Sequence, residues 1–299
     1  LAHLLRSILF AMFAVGCACL WYFRAEAWWL AWAGFWFPPV ALASVLALEF
    51  ALAAVVNRAD PAPRARVRDW VIAWSRELWT ALKVFGWWMP FGQRTVPDFL
   101  PVAVTGQTGV VFVHGFFCNR GIWTPWLKIL RKEGRAFSAI NLEPVLGSID
   151  HYASQVDVAV SRVTAATGRP PVVICHSMGG LAVRAWLRSA GPAADQRILR
   201  VITLGTPNSG TWLARFVRVA NGRQMRHRGA WVRQLEAGEP AHRFTRFTCW
   251  YSNCDNVVFP ASTATLAGAD NRLASGLAHV ELALDPEVMR CCLEGIRAS

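Results

Sequence analysis

The stretch "PVVICHSMGG", Pro171 to Gly180, runs five apolar or nearly apolar residues into a histidine, a serine and two glycines. "PVVIC" reads as a buried strand and "MGGLAVRAWLRSAG" as a helix that stops near Gly191, so Ser177 falls in the turn between them. A serine in a sharp strand-to-helix turn can be a nucleophile elbow. The strained backbone there exposes Oγ and demands small neighbours, usually as G-x-S-x-G. Here Cys175 takes the first position, and Gly179 and Gly180 meet the requirement on the helical side. The chemistry such a hydroxyl performs is acyl transfer through a covalent intermediate.

Acyl transfer builds negative charge on the carbonyl oxygen, and preorganised N–H groups aimed at it supply about 3 kcal/mol or more. The stretch "VVFVHGFFCNRGIW" follows another strand, and His114-Gly115 allows a tight turn that directs the amide of Phe116 into the site. Met178, next after the serine, supplies the second donor. His114 precedes the nucleophile and reads as a structural hydrogen-bonding residue, and His176 as packing beneath the elbow. His3, His151, His227 and His242 lie in terminal, helical or loop contexts and read as surface or hydrogen-bonded core.

Taken together, "HGFFCNRGIW", "CHSMGGLAVRAW" and "TLGTPNSGT" resemble three successive signatures of the α/β-hydrolase lipases and esterases, over roughly Val102 to the C-terminus. The resemblance implies the order serine, acid, histidine, with the acid after a late strand and the histidine before the last helix. On that order "FTCWYSNCDNVVFP" makes Asp255 the acid, and "GLAHVELALDPEV" makes His279 the base ahead of a helix starting near Asp285 and Pro286. Asp270 is the rival acid, only nine residues before His279. Two departures from the pattern are Ala278, where glycine is usual before the histidine, and Asn208, where the "GTP" loop often continues with histidine. The implied machinery needs no cofactor, and no metal is expected; some related lipases bind a structural calcium ion, but no carboxylate cluster for one can be assembled here.

The elements that must position these residues are short β-rich runs alternating with helical patterns: "GVVFV", "AFSAI", "PVVIC", "RVITLG" and "FTCWYS". That alternation predicts an α/β fold, a mostly parallel sheet with helices on both faces and catalytic residues at the strand ends. Between the "GTP" loop and the acid, a basic insertion around 212–238 interleaves six arginines with Trp212, Leu213, Phe216, Val217, Met225 and Trp231. It reads either as a cap meeting anionic headgroups or as a solvated basic face.

Composition places the rest. At 54% hydrophobic residues and a mean hydropathy of +0.29, the 299-residue chain is too apolar for an ordinary soluble enzyme. Ser7 to Phe23 and Ala27 to Leu48 are uncharged runs, each close to the roughly 20 residues that cross a bilayer core. A signal peptide competes for the first run, but "CLWYFRAEAWW" is bulky where a small-residue cleavage site would lie. Two transmembrane helices in a hairpin (1–57) are therefore expected ahead of the hydrolase domain (102–299). Pro38 and Pro39 predict a kink or a late start in the second span, and Glu49 within it reads as a protonated or interface-facing structural residue. The segment 58–101 reads as a basic linker and a Trp-rich helix. There Trp70, Trp74, Leu78, Leu82 and Phe85 recur at helical spacing, lying in the membrane interface or packing on the catalytic domain.

Arg58, Arg64, Arg66 and Arg68 follow the second span, so the positive-inside rule puts the catalytic domain in the cytoplasm, at a bacterial inner membrane. The net charge of +12 lies beyond Asn57. With no zinc spacing, RNA-binding signature or basic helix interleaved with stacking aromatics, nucleic acid is not expected, and membrane lipids, anionic ones above all, are the fitting partner. The eight cysteines read as mostly free thiols, with Cys249 and Cys254 able to bridge under oxidation. The expected function is a membrane-anchored serine hydrolase, a lipase or esterase acting on lipid or other hydrophobic esters. The alternatives are an acyltransferase or thioesterase using the same serine, and a membrane scaffold that keeps only the fold.

Overall fold

The computed structural model describes residues 1–25, 27–101 and 106–298. Val102, where the sequence places the start of the hydrolase domain, lies outside the described residues. Six strands, β1 (Val110–Val113), β2 (Phe137–Ile140), β3 (Val172–His176), β4 (Arg200–Leu204), β5 (Phe247–Tyr251) and β6 (Asp270–Leu273), form one sheet in the order β2-β1-β3-β4-β5-β6, every pair parallel.

A parallel sheet covered on both faces needs strands apolar on both sides. β1 and β3 are buried at every position, and their side chains divide by the two-residue period. Val111, Val113, Val173 and Cys175 join one core with the helices α5 (Ala153–Thr167) and α6 (Met178–Ser189). Val110, Phe112, Val172 and Ile174 join the other with α4 (Thr124–Lys132) and α10 (Pro286–Arg297). The five strands and the two-sided parallel sheet expected from the sequence are all present. β6 is additional: "DNRL" at the sheet's edge has almost no apolar pattern.

The chain leaves β1 for β2 on one side and returns to β3 on the other, so the crevice beyond the ends of β1 and β3 is the switch point where α/β proteins gather their sites. Between β4 and β5 the basic insertion folds as a 3₁₀ turn at Trp212–Phe216 and two short helices, α7 (Ala220–Gln224) and α8 (Ala230–Ala237). α9 (His279–Leu282) is a single turn after β6.

The N-terminal part has two helices long and apolar enough to cross a membrane, α1 (Ala2–Phe23) and α2 (Trp28–Val56). Glycines let them approach: a Cβ on Gly34 would lie 2.7 Å from Cys19, and one on Gly16 would lie 3.2 Å from Phe35. α2 starts at Trp28 and passes through Pro38 and Pro39 as one helix, so neither a late start nor a break occurs at the prolines. Both helices leave large apolar side chains bare, Phe13 and Phe37 among them, which a core helix would not.

The segment that ends α2 is docked on the connection between β5 and β6. Asn57 Oδ1 accepts from Ala261 N at 2.9 Å, Asp60 accepts from Ser262, and Asn253 donates to the carbonyl of Pro63 at 2.9 Å. α3 (Val67–Lys83) follows and continues as a wider π-type segment, Val84–Gly92. Trp74 Nε1 donates to Ala43 O of α2 at 3.1 Å. The buried line of α3 is Ala73, Glu77, Ala81; beside it Trp70 and Trp74 are half-buried against Phe50, Cys254 and Ala278, so this part of the stripe packs on α2 and the catalytic domain, while Leu82 is exposed. A glutamate at the centre of that line has to have partners.

Candidate active site

Ser177 follows β3 directly with φ 52° and ψ −131°, a backbone region that costs a non-glycine residue about 1–3 kcal/mol. Close packing holds it there. A Cβ on Gly179 would lie 2.4 Å from Val113 O, one on Gly180 would lie 2.3 Å from Thr206 Oγ1, and one on Gly115 would lie 2.7 Å from Ser177 Cβ. The glycines on the helical side thus admit β1 and the loop after β4, while Cys175 sits wholly buried within β3, where a side chain fits. Ser177 N donates to Leu204 O at 2.9 Å and Thr206 Oγ1 donates to Ser177 O at 2.8 Å, pinning the turn from β4.

The loop after β5 carries Asp255 and the turn after β6 carries His279. Nδ1 of His279 lies 2.8 Å from Asp255 Oδ2, and both side chains are buried. Asp255 Oδ1 accepts the amides of Val257 and Val258 at 2.8 and 2.7 Å, so the carboxylate cannot swing away. With Nδ1–H donating to the carboxylate, Nε2 is left as the basic nitrogen. Burial works to lower the His279 pKa, but the charges of Asp255, then Glu77 and Glu49, outweigh it and the net shift is upward. Asp270 sits at the opposite end of the sheet, exposed at the start of β6 and paired with Arg272 at 2.7 Å.

His279 and Ser177 line one cavity of about 440 Å³. Among the described residues the Ser177 hydroxyl has no hydrogen-bond partner, so the serine–histidine contact is not closed as the histidine–aspartate contact is. Neither the Phe116 nor the Met178 amide has an acceptor among the described residues. The basic insertion contributes Leu213, Phe216 and Val217 to the cavity wall, and Arg215 stacks on Trp212 at 3.9 Å. α2 also lines the cavity, through Leu42, Leu46 and Glu49.

The other polar residues sort by their partners. His114 donates from Nδ1 to Gly115 O and accepts Leu142 N at Nε2, and burial drops its pKa to about 4. His176 packs its ring on that of His279, centroids 4.7 Å apart, and donates from Nε2 to the His279 carbonyl. Burial, then the charge of His279, holds it well below the usual histidine range and therefore neutral. Asn208 is structural: it donates to Ala264 O at 2.7 Å, and its carbonyl accepts Arg184 Nη1 at 2.6 Å beside the buried Arg184–Glu239 pair. Cys249 and Cys254 are free and buried. Cys118 lines the cavity, but burial pushes its thiol up to about 12, so it carries no thiolate near neutral pH.

Two residues near the histidine have roles that sequence patterns do not carry. Glu49 lines the cavity and accepts Asn256 Nδ2 at 2.8 Å. Glu77 accepts the amides of Val280 and Glu281 at 2.9 and 3.0 Å. Burial pushes its carboxyl up to about 7, with those two amides limiting the rise.

The fold agrees with that of known proteins. A solved structure of the lipase BlEst2 from Bacillus licheniformis in mature form matches with a TM-score of 0.57 at 16% identity, over 67% of this chain and 95% of that one. Aspergillus fumigatus lipase B matches with a TM-score of 0.58 at 17% identity, over 68% of this chain and 55% of that one. No curated protein matches the chain. Residues 110–290 match the model of the alpha/beta hydrolase family, and with a parallel sheet bearing a strained serine at the end of its central strand, the chain belongs to that family.

Proposed function

We propose that the protein is a membrane-anchored serine hydrolase that cleaves carboxylic esters of lipid-like molecules through an acyl-enzyme. The observation that carries this reading is that Ser177, strained at φ 52°, and His279, bonded to Asp255 at 2.8 Å, border the same cavity. Ser177 Oγ attacks the ester carbonyl carbon while His279 Nε2 takes its proton. Asp255 holds the tautomer and stabilises the imidazolium. The amides of Phe116 and Met178 bind the oxyanion, which collapses to the acyl-enzyme as the imidazolium protonates the departing alcohol. Water, deprotonated by the same nitrogen, then releases the acid. Serine–histidine contacts of this kind often tighten only around substrate, which suits the open contact here.

The apolar lining of the cavity, Leu42 and Leu46 from α2 with Leu213, Phe216 and Val217 from the insertion, supports a hydrophobic acyl group. Membrane anchoring rests on α1 and α2, whose bare apolar faces need a nonaqueous neighbour, and the arginines from Arg58 to Arg68 favour a cytoplasmic, anionic surface. On this reading 1–57 is the hairpin, 58–101 the connection and 102–299 the hydrolase domain, with 212–238 as its cap. The test is release of p-nitrophenol from short and long acyl esters by the detergent-solubilised chain. Ser177→Ala is expected to lose the activity and labelling by a fluorophosphonate; equal rates would refute the reading.

A further inference from the structure

His279 is held by more than its carboxylate. Its backbone N–H donates to Asn256 Oδ1 at 3.2 Å, and the other end of that amide donates to Glu49 Oε2 of α2 at 2.8 Å. The next two amides, Val280 and Glu281, end on the two oxygens of Glu77 of α3. Before them, Ala278 N donates to Glu281 Oε2 at 3.0 Å. The unpaired N–H groups at the start of α9 are therefore all satisfied by side chains; one acceptor, Glu77, belongs to a helix more than 200 residues earlier in the chain, and Glu49, on another such helix, reaches them through Asn256.

We propose that Glu49 and Glu77 are positioning residues for His279, so that the second apolar helix and the helix after it complete the active site instead of merely tethering it. Asn256 passes the grip of Glu49 to the His279 amide, and Glu77 fixes the two residues that follow. Both carboxylates also border the cavity that His279 lines, and their charges act on its imidazole. The groups around that ring are Asp255 from the loop after β5, Glu49 from α2, Glu77 from α3, His176 from the end of β3, and no cation from these elements. A buried His176 that stays neutral adds no opposing charge, so the surroundings favour the imidazolium that forms as the serine gives up its proton.

This proposal rests on the reading of His279 as the base. Its test uses the full chain in detergent with a short p-nitrophenyl ester, and compares Glu49→Leu, Glu49→Gln and Glu77→Gln. Glu49→Leu and Glu77→Gln are expected to lower kcat about 10- to 100-fold with little change in KM, since a base shifted by a fraction of an ångström loses rate before binding. Glu49→Gln, whose amide oxygen still accepts from Asn256, is expected to recover most of what Glu49→Leu loses. Glu77→Gln is expected to move the acid limb of kcat/KM to lower pH, because a negative charge beside the imidazole has gone. In parallel, hydrogen exchange of the peptide spanning 278–282 is expected to quicken in Glu49→Leu and Glu77→Gln. Wild-type kcat, an unmoved acid limb and unchanged exchange in both variants would overturn the proposal. Should Ser177→Ala match wild type, the hydrolase reading fails by itself; exchange then decides, faster exchange supporting the grip on the 279 turn and unchanged exchange rejecting it.

Discussion

Asp255 gives one carboxylate oxygen to the His279 ring at 2.8 Å and the other to two backbone amides, so its orientation is fixed before any substrate arrives. An asparagine there keeps the shape but offers an amide that can present N–H to Nδ1 and select the wrong tautomer. Asp255→Asn is expected to reduce kcat by about 10⁴-fold with KM nearly unchanged, measured by steady-state ester hydrolysis. A loss under tenfold would mean that this carboxylate is not the orienting acid.

The base must be neutral to accept the serine proton, so activity falls as pH drops through the His279 pKa. Burial depresses that pKa, but Asp255, Glu77 and Glu49 more than offset it. The acid limb of kcat/KM is therefore expected above the roughly 6.5 of an unperturbed histidine. A limb below that value would show that burial prevails.

His114 makes an opposite prediction, about stability. Its folded pKa of about 4 lies below its unfolded value, so the unfolded chain binds the extra proton first as pH falls. Stability from this site is present above about pH 6.5 and lost on descent to pH 4, by up to about 3 kcal/mol. Protonation puts a hydrogen on Nε2, where Leu142 N now donates. Thermal unfolding between pH 7 and 4 should show a drop that is shallower in His114→Gln.

Gly179 admits the end of β1 beneath the elbow, with Val113 O only 2.4 Å from where a methyl would sit. The obstacle is backbone, which cannot move aside alone. Gly179→Ala is expected to destabilise the fold by about 1–3 kcal/mol and to lower activity more than the melting shift explains. Unchanged melting and turnover would contradict the packing described.

Leu46 is buried on the cavity side of α2. Leu46→Trp is expected to cut kcat/KM for long-chain esters about tenfold or more while leaving acetate esters nearly as good, because only the longer chain needs that space. Equal losses for both would remove α2 from the acyl pocket.

What the sequence makes legible is local. Ser177, Cys175 and the two glycines sit on one strand-turn-helix, and the five apolar strands announce themselves by period. β6 does not, since "DNRL" is a polar edge with little to bury. Hydropathy also finds the packed face of α3 through Trp70 and Trp74, but not the glutamate at its centre, Glu77, whose partners are backbone amides about 200 residues away. Glu49 looks solitary within its apolar run because its partner, Asn256, lies 207 residues away, and only tertiary structure joins them.

α2 separates the chamber from its surroundings by the width of one helix, about 10 Å. Its inner side carries Leu42 and Leu46, and its outer side is bare at Phe37, Val45 and Leu48. Whatever solvates that outer side presses on the partition itself. Turnover should thus vary with the thickness of the host lamella or micelle, and the choice of solubilising agent becomes a variable of the kinetics as real as temperature.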